Sequence, residues 1–277
     1  MDLSDKLFET AIEDLNSVLL LYNSNHYNLA LFQLQQSVEK LVKSFGIKTQ
    51  AIKPEEMTNK INHLPHKVFT RLFQNQINEL DGLINYQSLI PEFVPPHQRD
   101  KQKLKANFNN LKALHTKLSN TELDSNYTPE ESIKFFEGVA ELDKEPIINE
   151  QELFNELKYD FVKTHEHFIN YFKNDENIKA LSEDAIKNSD EITSDNLIKH
   201  KQRIIAERKY AFVSYVWINL SLLTSPHEAT TRYPSIINDQ TPKSKYDRNN
   251  TLIKDIPRFV ALLNRSIVLF KEIYGME

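Results

Sequence analysis

The clearest hydrophobic pattern in the chain lies between residues 27 and 45. Apolar side chains recur there at alternating steps of four and three residues, which places them on one stripe of an α-helix. These residues are Tyr27, Leu31, Leu34, Val38, Leu41 and Phe45. Asn25 precedes the stripe as a predicted cap, and Gly46 follows it as a predicted stop. Glu39 and Lys43 stand four residues apart, which predicts an ion pair on the solvent side of this helix.

The same periodicity predicts helices along most of the chain. The first helix is expected from Ser4 to about Ser24, and the short turn that follows it predicts an antiparallel hairpin with the second. Further helices are predicted over 65–86, 101–118, 129–142, 150–172, 178–186, 195–223 and 255–274. Ser194 or Asp195 is the predicted cap of the longest helix, and Pro257 is the predicted start of the last one.

The low number of glycines also favours a helical protein. Only four occur in 277 residues, which leaves little turn chemistry for a multi-stranded sheet. Two long proline-containing stretches, 87–99 and 224–248, are predicted to be irregular, and long loops of this kind often carry function. The predicted fold class is therefore all-α.

Charge is distributed unevenly along the chain. Residues 128–195 hold 18 acidic and 7 basic residues, a net charge of −11, so the remainder carries +6 of the overall −5. Basic residues gather in Arg99–Lys117 and in Lys199–Lys209. Such clusters are either solvated helix faces or a basic surface for phosphates.

Several classes of protein are excluded or disfavoured. The absence of cysteine excludes disulfides and thiolate metal sites. The N-terminus is acidic where a signal peptide is basic and apolar, and the longest apolar run, Val18–Tyr22, is far too short to cross a bilayer. We expect a soluble, cytoplasmic protein with no membrane partner.

Two pairs of residues are candidates for chemistry. His63 and His66 lie in the segment NHLPHK and are either a capping or surface pair, or a base or phosphate contact near pH 7. Arg232 and Tyr233 lie in the second irregular stretch. Arg232 either clamps a phosphate, with Tyr233 stacking on a base, or ties the loop to the helices.

The polar side of the second helix and a histidine pair complete the candidates. Lys40 and Lys43 flank the apolar stripe and are positioned to meet a ligand. His165 and His167 are two residues apart on a helix and point about 200° apart, so they cannot share one metal ion. No glycine-rich phosphate loop is present. The sequence therefore predicts neither a metal site nor a cofactor.

The segment ALFQLQQSVEKLVKSFGI, after a first amphipathic helix, resembles the HEPN superfamily of helical domains. That family typically shows the pattern Y..A.F..QQAVEKALKALL followed by a short H.L..L helix. Leu29–Lys43 fits the first part closely and His63–Leu72 fits the second loosely. ATTRYP at Ala229–Pro234 is similar to the end of several HEPN domains. The resemblance implies an antiparallel helical bundle formed by residues 1–90 and 194–277, with a helical, partly acidic insertion at 91–193.

The resemblance also implies what the protein does. Many HEPN domains are metal-independent ribonucleases of toxin–antitoxin, abortive-infection or CRISPR systems, and others bind nucleotides or partners without cleaving. The cleaving members carry an Arg followed after four to six residues by a His, usually paired across a dimer. This chain lacks that motif. The departure favours a non-catalytic nucleotide- or RNA-binding protein of a prokaryotic defence or toxin–antitoxin system, expected to form a homodimer.

Two alternatives stay open, and so does the question of whether the chain is an enzyme. One is a divergent metal-independent ribonuclease in which His63 or His66 acts with Arg232. The other is a helical interaction scaffold whose acidic segment, residues 128–195, grips a basic partner. HEPN proteins often accompany a nucleotidyltransferase, which is therefore a possible partner protein.

Overall fold

The computed structural model describes residues 2–89, 101–123, 125–233 and 241–275. Helices and their connections account for all of these residues, with no β-strand in this part of the chain, which confirms the all-α fold class. The α-helices are α1 Leu3–Asn23, α2 Tyr27–Lys48, α3 His66–Leu89, α4 Lys101–Ser119, α5 Pro129–Asp143, α6 Glu150–Tyr171, α7 Glu176–Lys187, α8 Ser189–Thr224, α9 Pro242–Lys245 and α10 Thr251–Tyr274. A π-helical turn spans Met57–Ile61 and a 3₁₀ turn spans Ser225–His227.

The chain forms two compact units. The first unit contains Met1–Asn75, Ala113–Lys144 and Lys209–Glu277, so it draws on both ends of the sequence. The second unit contains Gln76–Lys112 and Glu145–Arg208. None of the described helices combines the length and apolar character that crossing a membrane requires.

Aromatic side chains from distant parts of the sequence build the core of the first unit. The Phe45 ring lies 5.3 Å from that of Phe69, 5.8 Å from that of Trp217 and 6.1 Å from that of Phe270. The Trp217 indole N–H donates to Ser266 Oγ at 2.7 Å, so its polar atom is satisfied inside the core. These contacts hold α2, α3, α8 and α10 around one apolar centre.

The apolar stripe of α2 is buried along its whole length, as predicted. The predicted helix ends are wrong. Gly46 does not stop the helix, which continues to Lys48. A Cβ at Gly46 would lie 2.7 Å from Val68 Cγ1, so this glycine permits close packing of α3. Asn25 is not the cap either: it has a left-handed backbone (φ 60°), and His26 takes the cap position without a side-chain hydrogen bond.

Two other helix starts differ from prediction, and one agrees. α8 begins at Ser189 rather than near 194, because small polar residues such as Thr193 are buried there and leave no apolar signal. α10 begins at Thr251, capped by Asn250, so that Pro257 lies inside the helix. α5 begins at Pro129 as predicted, and Thr128 and Glu131 form a capping box at its start.

Part of the predicted insertion belongs to the first unit. Phe135 and Val139 of α5 are buried in the same core cluster as α10. Ser132 Oγ donates to the buried carboxylate of Asp255, and Arg258 Nη1 lies 3.1 Å from the same carboxylate. α5 is therefore fastened to α10 by both apolar and polar contacts.

The second unit has fewer buried side chains than the first. α6 packs against α7, yet no residue of α6 is buried. Ion pairs Lys201–Glu150 and Lys158–Asp190 connect α6 with the first half of α8, and their order shows that these two segments run antiparallel.

Candidate functional site

The polar residues of α2 form a hydrogen-bonded chain centred on Glu39. Gln36 Nε2 donates to Gln35 Oε1 at 2.7 Å, and Gln35 Nε2 donates to Glu39 Oε2 at 2.8 Å. Lys43 Nζ donates to Glu39 Oε1 at 2.7 Å. Glu39 is only 6% exposed, so the predicted ion pair exists but does not lie on the solvent side. The hydrogen bonds from Gln35 and Lys43 offset the cost of removing the Glu39 carboxylate from water.

His63 joins this chain from outside α2. Its Nδ1 lies 3.3 Å from Glu39 Oε2, and the imidazole is half exposed. The other candidate lysine of α2, Lys40, forms an ion pair with Asp14 of α1. The ammonium groups of Lys40 and Lys43 are therefore both engaged with carboxylates of the first unit.

A pocket of about 270 Å³ lies at the start of α3. Its wall combines the π-helical turn, the first two turns of α3 and the last residues of α4. The lining residues are Lys60, His66, Lys67, Thr70, Arg71, Leu118 and Ser119. We call this the α3 pocket. All of its lining residues lie in the first unit.

Side-chain charge makes the α3 pocket positive. Glu56 accepts from Arg71 Nη1 and from Lys60 Nζ, each at 2.7 Å. The hydrogen bond from Arg71 is the largest cause that lowers the pKa of Glu56 to about 2, followed by those from Lys60 and the Lys53 amide. Lys67 makes no ion pair with any described residue.

The net charge of the α3 pocket is set by its side chains rather than by the helix dipoles. Three cations meet one carboxylate, which leaves a net charge of +2. The positive end of the α3 dipole and the negative end of the α4 dipole both lie at the pocket and oppose each other.

His66 forms a buried part of the same wall. The residue is 7% exposed, and its Nδ1 atom has no hydrogen-bond partner among the described residues. Burial lowers the pKa of His66 below its ordinary value, and the charge of Lys67 lowers it further. The imidazole is therefore neutral at pH 7 and adds no charge to the wall of the pocket.

Arg232 holds its segment against α2. Its guanidinium pairs with Glu228 and lies 5.1 Å from the centre of the Phe32 ring and 5.2 Å from that of Tyr233. Asn28 Nδ2 donates to the Thr231 carbonyl at 3.1 Å, which adds a second link to α2. The Tyr233 side chain is largely exposed. Pro234, the last residue of the ATTRYP similarity, lies outside the described residues.

The described contacts do not bring Arg232 together with either candidate histidine. Arg232 contacts α2 at Phe32, whereas His63 contacts α2 at Glu39. Seven residues of helix separate these points, which corresponds to about 10 Å along the axis. His66 is instead grouped with Lys60, Lys67 and Arg71.

A histidine that carried no prediction is buried in the same unit. His227 Nδ1 lies 2.7 Å from the hydroxyl of Tyr246, and Thr230 Oγ1 lies 2.6 Å from that hydroxyl. Both rings are buried, so this cluster fastens the turn after α8 to the segment that leads into α10.

The basic cluster at residues 199–209 is largely neutralised. Lys201 pairs with Glu150, Arg203 pairs with Glu207, and Lys209 pairs with Glu272. These contacts favour solvated, paired helix faces over an open phosphate-binding surface in this segment.

Most of the α3 pocket was not predicted from the sequence. Lys67 and Arg71 are four residues apart and directly follow His66, so their helical spacing was a readable signal for one basic face. Lys60 belongs to the same short segment. Leu118 and Ser119 come from the end of α4, and no local pattern indicates that they complete the wall.

The comparison with known families gives a match in the N-terminal part of the chain. The family model of the HEPN domain matches residues 4–84, which cover α1, α2 and most of α3. This confirms the resemblance in that segment, which includes the five pocket residues between 60 and 71. Leu118 and Ser119 lie outside the match. No significant match exists to a curated protein or to a solved structure.

Proposed function

We propose that this HEPN-type protein binds the phosphate group of a nucleotide or an RNA in the α3 pocket and does not cleave it. The observation that supports this is the grouping of Lys60, Lys67 and Arg71 around the buried His66. A concave site lined by charges of one sign raises the local concentration of ligands of the opposite charge.

The chemistry of the pocket suits a phosphate. Arg71 presents a planar set of donors, and Lys67 supplies an ammonium that no described residue engages. Thr70 and Ser119 add hydroxyl groups to the same wall. A bound phosphate accepts from several of these donors at once, as phosphate oxygens require.

The residues available support the proposal that the protein does not cleave the RNA. The chain has no Arg followed at the family spacing by a His. His66 has cations beside it in the pocket rather than a carboxylate that would orient it as a base. His63 does lie beside the carboxylate of Glu39, but none of its described contacts is with Arg232. Arg232 packs on Phe32, away from the α3 pocket.

The remaining expectations form part of this proposal. Tyr233 is exposed next to Arg232 and is proposed to stack on a base of a longer RNA, at a distance from the nucleotide whose phosphate occupies the α3 pocket. Lys40 and Lys43 are proposed to flank the bound ligand along α2, where their ammonium groups already pair with Asp14 and Glu39 and so add little net positive charge. A homodimer, a nucleotidyltransferase partner, a cytoplasmic location and a defence or toxin–antitoxin role are proposed on the HEPN match alone.

Binding of a labelled single-stranded RNA at low salt tests the proposal. We expect affinity to fall at least about tenfold in Lys67→Ala and to fall steeply with added salt in the parent protein. Lys254→Ala is the matched control, because Lys254 is exposed on α10 in the same unit and does not line the pocket.

Two outcomes would overturn this assignment. Equal affinity of the Lys67→Ala and Lys254→Ala proteins would remove the α3 pocket as the binding site. Cleavage of the RNA in EDTA, lost in both His66→Ala and Arg232→Ala, would replace binding by the ribonuclease alternative.

A further inference from the structure

We propose that the α3 pocket selects a terminal phosphate monoester, the end of an RNA or a free nucleotide, over an internal phosphodiester. This selection rests on the proposed function. It concerns which phosphate the pocket takes.

Charge is the first reason. Lys60, Lys67 and Arg71 carry three positive charges, and Glu56 balances one of them. A phosphate monoester carries a charge of about −1.5 to −2 at pH 7, whereas each phosphodiester in a strand carries about −1. The dianion therefore matches the net charge of the pocket, and a diester leaves one cation uncompensated.

The size of the pocket is the second reason. Its volume of about 270 Å³ is below the roughly 300–1,000 Å³ of pockets that enclose a drug-sized ligand. A phosphate with part of one sugar fits this space. An internal phosphodiester carries a nucleoside on each side, so two substituents have to leave through the mouth of this small pocket, whereas a terminal phosphate has only one.

The nature of the wall is the third reason. Leu118 is buried and apolar, so the α4 side of the pocket offers a phosphate only the hydroxyl group of Ser119. The donors are concentrated on α3 and the π-helical turn. A monoester directs three terminal oxygens toward such a one-sided set and its single ester oxygen away from it, whereas a diester has only two non-bridging oxygens.

The titration of His66 provides a separate measurement of whether the ligand binds in the α3 pocket. Burial, and after it the charge of Lys67, lowers the pKa of His66 in the empty pocket. A bound dianion offsets that charge and favours the imidazolium form, so ligand binding is expected to move the titration of His66 upward. A ligand bound elsewhere on the protein leaves that titration unchanged.

The test compares one RNA sequence in three forms: with a 5′-phosphate, with a 3′-phosphate, and with hydroxyl groups at both ends. Adenosine monophosphate and adenosine, each alone, distinguish a free nucleotide from an RNA end. We expect at least one phosphorylated ligand to bind about tenfold more tightly than its hydroxyl counterpart. We also expect the NMR titration of His66 to shift upward with that ligand.

Variants connect the preference to the pocket. Lys67→Ala and Lys67→Glu are expected to abolish the preference, with the second variant the more severe, and Lys254→Ala is expected to retain it. Lys67 is exposed and has no described ion-pair partner, so these changes leave the fold intact, which circular dichroism checks. Arg71→Lys keeps the charge beside Glu56 and is expected to weaken binding of the monoester less than Lys67→Glu does.

The outcomes separate the two proposals. Equal binding of all three RNAs, weakened in Lys67→Ala, would refute selection of the monoester and leave the proposed function standing. A preference that survives Lys67→Glu would place the selecting site elsewhere and refute the inference. No binding of any RNA or nucleotide would refute both.

Discussion

The replacement Glu39→Gln tests whether the polar chain of α2 stabilises the fold. Glu39 is the shared acceptor for Gln35 and Lys43 and lies beside His63. A glutamine has almost the same size, so it creates no cavity. It removes the negative charge from a position where Lys43 is only 13% exposed.

The expected loss follows from these contacts. Breaking a buried ion pair by removing one partner costs about 3–5 kcal/mol. The cost here is smaller, because the Lys43 ammonium keeps partial access to water and the introduced amide retains one acceptor oxygen. We expect the free energy of unfolding to fall by about 2 kcal/mol, which is within the range for hydrogen bonds to charged groups.

Urea unfolding followed by tryptophan fluorescence measures this loss. The chain has one tryptophan, Trp217, which is buried in the first unit and so reports on the unit that contains Glu39. Glu141→Gln is the control, since its ion pair with Lys144 in the same unit is exposed at both side chains. An exposed pair contributes at most about 1 kcal/mol.

A double-mutant cycle sharpens the result. Glu39→Gln leaves the Lys43 ammonium without its carboxylate partner, and adding Lys43→Met removes that ammonium. The double variant should therefore lose less stability than the sum of the losses in the two single variants. A cost for Glu39→Gln no greater than that for Glu141→Gln, or simple addition of the two single losses, would refute this account of the buried pair.

Three further predictions concern other parts of the first unit. Gly46→Ala should cost about 1–3 kcal/mol in urea unfolding, because its Cβ would press on Val68, and an unchanged midpoint would contradict that packing. Asn250→Ala should cost about 1 kcal/mol by removing the cap of α10, whereas a cost near zero would mean that the cap is dispensable. The pKa of His66 is lowered in the folded protein from its ordinary value of 6.5, so the unfolded chain takes up a proton more readily and stability should fall as pH drops through that value. The fall should be smaller in His66→Gln, and equal slopes for the two proteins would contradict the burial argument.

The candidate site could be only partly predicted. His66 was singled out because a histidine near the loop-rich end of a helical hairpin is a plausible phosphate contact, and it does line the α3 pocket. Arg232 was grouped with it by family analogy, yet Arg232 contacts Phe32 and Glu228 instead. Lys67 and Arg71 were readable from their spacing. The apolar wall at Leu118 was not, because it comes from the end of another helix much further along the chain.

Helical periodicity recurs every three or four residues, so the helices and the apolar stripe of α2 can be inferred from local sequence alone. The capping box at Thr128 is also local, because it depends on residues three positions apart. The burial of Glu39, the close packing at Gly46 and the place of α5 in the first unit become visible only in the folded protein. Each of these depends on which surfaces meet, and contacts between residues distant in sequence leave no periodic signal in the chain.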